Sequence, residues 1–206
     1  MLRLNDLLQI PRPLVLASQS PRRQALLRHV GFEFDVVVPN VDEDSVPTTM
    51  PPQDYVMQLA EAKARRGAEL VGRPSIVIGS DTTVVLGSTV LNKPVDADDA
   101  MRMLALLSDA THVVYTGLAL VDSATGRSVK TYSSTRVTFR ALESDEIRAY
   151  VASGSPLDKA GAYGIQDDFG AVFVRHVEGC YYTIVGLPLE LLYTTLRSFV
   201  RGGSSG

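Results

Sequence analysis

The chain has 206 residues, 45% of them hydrophobic and 21% charged, with a formal net charge of −3. This composition is that of an ordinary globular protein. The acidic balance supplies no global attraction to nucleic acid, so a nucleic-acid partner is not expected and any anion site must be local. Cys180 is the single cysteine, which excludes a disulfide framework or a cysteine-based zinc site within one chain and fits a reducing, cytoplasmic setting. Met1 to Asp6 lack the uninterrupted apolar core of an export signal, and no later segment is apolar for the length a bilayer needs. No membrane partner is expected.

In chain order, the apolar run Leu14 to Ala17 predicts a buried strand. Arg22 to Val30 carries Ala25, Leu26, Leu27 and Val30 at helical spacing and stops at Gly31, where a left-handed cap costs little. A strand is predicted over Phe32 to Val38, an acid- and proline-rich loop over Pro39 to Pro52, and a long helix over Gln53 to Val71. Ile76 to Gly79 reads as a short buried strand, and Thr82 to Leu91 as a hairpin turning at Gly87-Ser88, with Asp81 between them. Helix signals return at Asp96 to Leu107 with acids in the first turn. Val113 to Val121 and Ser128 to Phe139 read as long strands around Gly126. Glu143 to Ser153 reads as a helix closed by Gly154, then a glycine-rich loop runs to Gln166. Strands are predicted at Ala171 to Val177 and Tyr181 to Val185, and a last helix at Pro188 to Val200. The whole reads as one α/β domain over residues 1–206, with a core from about 14 to 200 and a flexible tail over 201–206.

Four polar clusters interrupt this apolar scaffold. Arg22 and Arg23 follow Ser18-Gln19-Ser20-Pro21 where a strand hands over to a helix, so unpaired N–H groups and two guanidinium forks stand where phosphate can bind. The local alternative is that Ser20 merely caps the helix and Pro21 fills its first position. Asp42 to Asp44 lie in the acidic loop. Ser80-Asp81-Thr82, with Lys93, would put the Asp81 carboxylate at the mouth of a sheet; the simpler local reading is a turn residue bonding its own backbone. Asp158-Lys159 through Gln166 places lysine, tyrosine and clustered glycines in one loop, which lets backbone approach a ligand, unless it is an ordinary irregular connection. Lys63 and Lys93, taken singly, read equally well as solvated positions. His29, His112 and His176 lie in separate elements without ligand spacing, so structural roles are expected of them.

Read together, these segments resemble the Maf family of nucleoside triphosphate pyrophosphatases from about Leu14 to Phe199. The motifs that carry the resemblance are Leu16-Ala17-Ser18-Gln19-Ser20-Pro21-Arg22-Arg23, then Gly79-Ser80-Asp81-Thr82-Thr83 followed by Lys93-Pro94, then Asp158 to Gln166, and Val185-Gly186-Leu187-Pro188. The fold the resemblance implies is a mixed, elongated central sheet with flanking helices and two lobes around a cleft, related to inosine triphosphate pyrophosphatases. The activity it implies is metal-dependent cleavage between the α- and β-phosphates of a nucleotide, with Mg²⁺ or Mn²⁺ held by Glu43 and Asp81, in a protein that often forms homodimers.

By the same resemblance, Asp81 is the catalytic proton acceptor, and Ser18, Arg23, Lys63, Lys93 and Lys159 surround the phosphates. Arg22, Thr82 and Gln166 match the branch acting on dTTP and UTP. A glutamine amide both donates and accepts, as the edge shared by uracil and thymine requires. Ser155 departs from the family pattern, standing where many relatives have glutamate. The competing expectation is a nucleotide-binding regulator of septum formation or cell shape that uses the same residues without significant turnover.

Overall fold

The computed structural model describes residues 3–166 and 169–202. Gly203 to Gly206, the end of the expected tail, lie outside the described residues. The four residues of β1 (Leu14–Ala17) are all buried, as befits a strand covered on both faces. It pairs in parallel with β2 (Asp35–Val37) on one side and with β3 (Ile76–Leu86) on the other, Ala17 lying opposite both Val37 and Gly79. β4 (Thr89–Leu91) folds back antiparallel on β3 through a turn in which Gly87 takes a φ of +60°. Two 12-residue strands follow, β5 (Thr111–Asp122) and β6 (Ser128–Phe139), and β7 (Val174–Glu178) pairs antiparallel with β6. The strand order is β2-β1-β3-β5-β6-β7, with β4 beside β3, a mixed sheet.

The chain divides into two units, and β3, β5 and β6 contribute to both. The first takes the described residues up to Asp81, Thr116–Ser133 and those from Gly186 on. It holds α1 (Leu4–Leu8), α2 (Pro21–His29), α3 (Pro52–Leu70) and α7 (Leu189–Arg201). Its central contact is α3 laid directly on the sheet. Ala60 and Ala64 of α3 pack on Ala119 and Val121 of β5. A Cβ at Gly79 would sit 2.1 Å from the Ala60 carbonyl oxygen, and one at Gly117 would sit 2.1 Å from that of Val56. Glycine is required at both positions because the helix backbone comes closer than any side chain permits.

The second unit, Thr82–Tyr115 and Ser134–Val185, holds α4 (Ala97–Leu107), α5 (Ser144–Ala152) and α6 (Tyr181–Val185). Leu104, Leu107, Phe139, Tyr150, Tyr163 and Phe173 lie in its core. Asp96 caps α4 by accepting from the Asp99 amide at 2.8 Å, and Glu143 and Glu146 form a reciprocal capping box at α5. Among the described residues no helix is long and apolar enough to cross a membrane.

Several elements depart from expectation. Tyr181 to Val185 is the helix α6 and not a strand: Gly179, at a φ of +125°, turns the chain out of β7, and the Thr183 amide donates to the Cys180 carbonyl. The aromatic and β-branched content of this segment gave way to that local geometry, as β-propensity readily does. Phe169–Phe173 forms a 3-10 turn before β7 begins at Val174. β2 has only three residues of the seven expected. The short helix α1 had no sequence signal of its own. It stands on tertiary bonds, since Asn5 Nδ2 donates to the Glu33 carbonyl and the Glu33 amide donates to Asn5 Oδ1, both at 2.8 Å. The largest departure is at Asp81, where the expected break is absent and β3 runs on for 11 residues.

Candidate active site

Alternation along β3 sends Gly79, Asp81 and Thr83 to one face and Ser80 and Thr82 to the other. Gly79 faces α3, so Asp81 does too. The close approach of α3 at Gly79 brings Lys63, one helical turn beyond Ala60, within reach of it. Lys63 Nζ donates to Asp81 Oδ1 at 2.6 Å and lies 2.6 Å from Glu43 Oε1. Lys63 and Asp81 are 8% and 7% exposed, whereas 42% of the Glu43 side chain faces solvent. An ammonium and a carboxylate this deeply buried need each other, because either alone would carry an uncompensated charge. Glu43 comes from a 3-10 turn, Glu43–Ser45, in the loop before α3.

Ser18 and Arg23 extend the cluster. Ser20 caps α2 by accepting from the Arg23 amide at 3.4 Å, with Pro21 in the first turn. Ser18 Oγ accepts from the Ser20 amide at 3.1 Å and from Arg23 Nη1 at 3.3 Å. Arg23 Nε donates to the Gly186 carbonyl at 2.8 Å. Burial pulls the Arg23 guanidinium below its ordinary pKa; the Asp81 carboxylate opposes that shift and the neighbouring Arg22 charge adds to it. Guanidinium nevertheless remains a cation at neutral pH, and it is directed by two oxygens.

The Gly186 carbonyl accepts a second bond, from Ser80 Oγ at 3.0 Å, and Ser80 Oγ also lies 2.9 Å from the Gly117 carbonyl oxygen. The Gly186 carbonyl thus links Arg23 to the Ser80 hydroxyl. The trace of this link in the sequence was the Gly186-Leu187-Pro188 segment, where Gly186 takes a φ of +111°.

In the second unit, Lys159 is buried, with Nζ donating to the Ser155 carbonyl, to Ser155 Oγ at 3.1 Å and to Asp158 Oδ1 at 2.9 Å. The serine at position 155 therefore contributes two oxygens to the lysine. Lys93 is exposed in the connection between β4 and α4, next to Asn92, whose carbonyl accepts from the Gly161 amide at 3.2 Å. This bond joins the Lys93 segment to the Lys159 loop. Gln166 is half-buried, and its Nε2 is buried without a hydrogen-bond partner among the described residues. Thr82, half-buried on β3, shares a strand face with Ser80 and not with Asp81.

Two carboxylates, Glu43 and Asp81, already converge on one cation, the Lys63 ammonium. Two hard oxygen donors suit Mg²⁺ or Mn²⁺, which take few protein ligands and complete their shells with phosphate oxygens and water. Among the described residues there is no group of three or more His, Cys, Asp or Glu that could hold a metal by protein ligands alone. The donor set fits a metal delivered with a polyphosphate.

A mixed α/β sheet carrying a buried Lys-Asp pair, a second carboxylate and an oriented guanidinium defines a class of protein suited to handling phosphate groups. The chain belongs to the Maf family, whose model, described as Maf-like protein, matches residues 13–199. It is 48% identical over 196 residues to a dTTP/UTP pyrophosphatase of Salinibacter ruber, covering 95% of each chain. It is 50% identical over 186 residues to one of Salmonella typhimurium, covering 90% of this chain and 92% of the relative. A solved dITP/XTP pyrophosphatase of Mycobacterium abscessus aligns over 93% of this chain and 96% of its own, at 18% identity and a TM-score of 0.42.

Proposed function

We propose that this protein hydrolyses dTTP and UTP to the nucleoside monophosphate and pyrophosphate. The observation that carries the reading is the buried Lys63-Asp81 pair with Glu43 at its open side, in a chain 44–50% identical to relatives named dTTP/UTP pyrophosphatase. Asp81 accepts a proton from water as the water oxygen bonds to the α-phosphorus. The bond from that phosphorus to the bridging oxygen breaks, and pyrophosphate leaves with the bonding pair. Phosphoryl chemistry of this kind depends mainly on alignment and on neutralising charge.

Lys63 and Arg23 supply fixed positive charge in the first unit, and Ser18 holds the Arg23 guanidinium. Glu43 and Asp81 are the residues that would hold Mg²⁺ or Mn²⁺, which supplies charge neutralisation on the phosphates when bound. Arg22, Lys93 and Lys159 are assigned to substrate phosphates, and Thr82 and Gln166 to selection of the base. Gln166 Nε2, buried without a hydrogen-bond partner among the described residues, supports that assignment, because such a donor is costly until a ligand satisfies it. A homodimer in the cytoplasm belongs to the same reading.

The test is a panel of canonical and modified nucleoside triphosphates with Mg²⁺ or Mn²⁺, scored by pyrophosphate release. Turnover of dTTP and UTP above purine nucleotides, abolished by a chelator, is the expected result. Saturable binding without product would replace the enzyme reading with that of a nucleotide-binding regulator.

A further inference from the structure

We propose that His112 is a positioning residue: through its hydrogen bond to Tyr163 it holds the Lys159–Gln166 segment in its ligand-ready conformation. This inference rests on the nucleotide reading above and adds to it a group that lies outside the four sequence motifs.

His112 Nε2 lies 2.8 Å from the Tyr163 hydroxyl, and both residues are buried, at 0% and 5% exposure. The two rings meet edge-to-face, and each also meets Phe139 in that geometry, with centroids 4.8–5.4 Å apart in all three pairs. Edge-to-face aromatic packing fixes ring directions as well as burying area. Both partners are neutral at pH 7. Burial lowers the His112 pKa to about 4 and raises that of Tyr163. The bond therefore joins two neutral groups in an apolar setting, where losing one partner leaves the other unsatisfied.

The segment so anchored needs anchoring. Gly161 and Ala162 both take positive φ, +69° and +59°. Such backbone is open to glycine but strained at alanine. It persists only where surrounding contacts over-determine it, and among the described residues these include the Gly161 amide on the Asn92 carbonyl, the Ala162 amide on the Lys159 carbonyl at 3.1 Å, the Gly164 amide on the Tyr150 hydroxyl at 3.2 Å, and Tyr163 on His112. Only the last directly fixes a side chain between Lys159 and Gln166. Its release would let Tyr163 turn and the strained pair relax, which disturbs Lys159 on one side and Gln166 on the other.

The experiment compares wild type, His112→Leu, Tyr163→Phe, their double variant and His112→Gln, whose amide can again reach the Tyr163 hydroxyl. In steady-state pyrophosphate release, His112→Leu should raise KM for dTTP about tenfold with kcat changed less than threefold, and lower the preference for dTTP over dCTP. Tyr163→Phe should reproduce this, the double variant should be no worse than either single one, and His112→Gln should recover part of the loss. A purely structural role would lower kcat through the active fraction while leaving KM and base preference alone, and that result overturns the proposal. Amide hydrogen exchange provides a readout without turnover: in His112→Leu, exchange at Gly161 to Gln166 should rise at least tenfold while that of α3 is unchanged. If wild type hydrolyses no nucleotide, the functional reading falls, and unchanged exchange in this segment sinks the positioning role by itself.

Discussion

The Lys63 cluster and the His112 cluster bury polar groups by opposite means. Around Lys63 the groups carry full charges, the partners come from a helix, a strand and a loop, and the outermost member, Glu43, remains 42% exposed in its side chain. Around His112 every group is neutral, the surroundings are aromatic and solvent is excluded. Charges that meet a substrate must be open enough to exchange one partner for another. Groups that hold strained backbone in place must not exchange at all.

The largest effect should come from the charged cluster. Asp81→Asn keeps the shape of the side chain and removes the proton acceptor, so pyrophosphate release should fall about 10²–10⁴-fold, as measured under saturating dTTP. The melting temperature should also fall, because the buried Lys63 ammonium loses its buried carboxylate and keeps the half-exposed Glu43. A variant with parental turnover would remove Asp81 from the chemistry and leave its pair with Lys63 as a folding feature.

Next in size is the packing that creates the pair. Gly79→Ala would force α3 away from β3, since the new Cβ would stand 2.1 Å from the Ala60 carbonyl oxygen. Overpacking typically costs about 1–3 kcal/mol, which denaturant unfolding would register, and the separation should lower activity even in the folded fraction. Full stability in this variant would mean that α3 can slide without cost.

Acid should act on His112 and on Glu146 in different windows. The folded His112 has its pKa lowered from 6.5 to about 4, so between these values the unfolded chain binds the extra proton. Stability is then complete above pH 6.5, declines as pH falls towards 4, and the contribution at stake is of order 3 kcal/mol. Subtracting the pH–stability profile of His112→Leu from that of wild type should isolate this decline. Glu146 offers the smallest effect and a different window: Arg140 holds its carboxyl down to about 2, so its contribution is present above 4.5 and lost as pH falls through 2. Coincident declines from the two residues would contradict their separate causes.

Much of the architecture was legible because its determinants are local. The buried run of β1, the periodicity of α3, α4 and α7, the acids in the first turn of α4 and the Gly87 and Gly126 turns depend on residues within a few positions of each other. Five of the residues named through the resemblance, Ser18, Arg23, Glu43, Lys63 and Asp81, lie in one linked cluster, although Glu43 and Lys63 belong to none of the four motifs. The environment of Asp81 was not legible. Gly-Ser-Asp-Thr has turn composition, and nothing nearby indicates that an aspartate there continues a strand. What allows it is Lys63, 18 residues earlier, which neutralises a charge that local structure could not bury.

The amino-acid order alone determined the long helices α3, α4 and α7, the buried run of β1, and which polar side chains stand out from an apolar scaffold, because these follow from short-range periodicity. Only the tertiary structure decided that α3 rides on two glycines, that Asp81 lies within a strand, that Gly186 links Arg23 to Ser80, and that His112 braces Tyr163. Each of these depends on groups far apart in the chain compensating a cost, whether of buried charge, close backbone approach or strained φ, that none could bear alone.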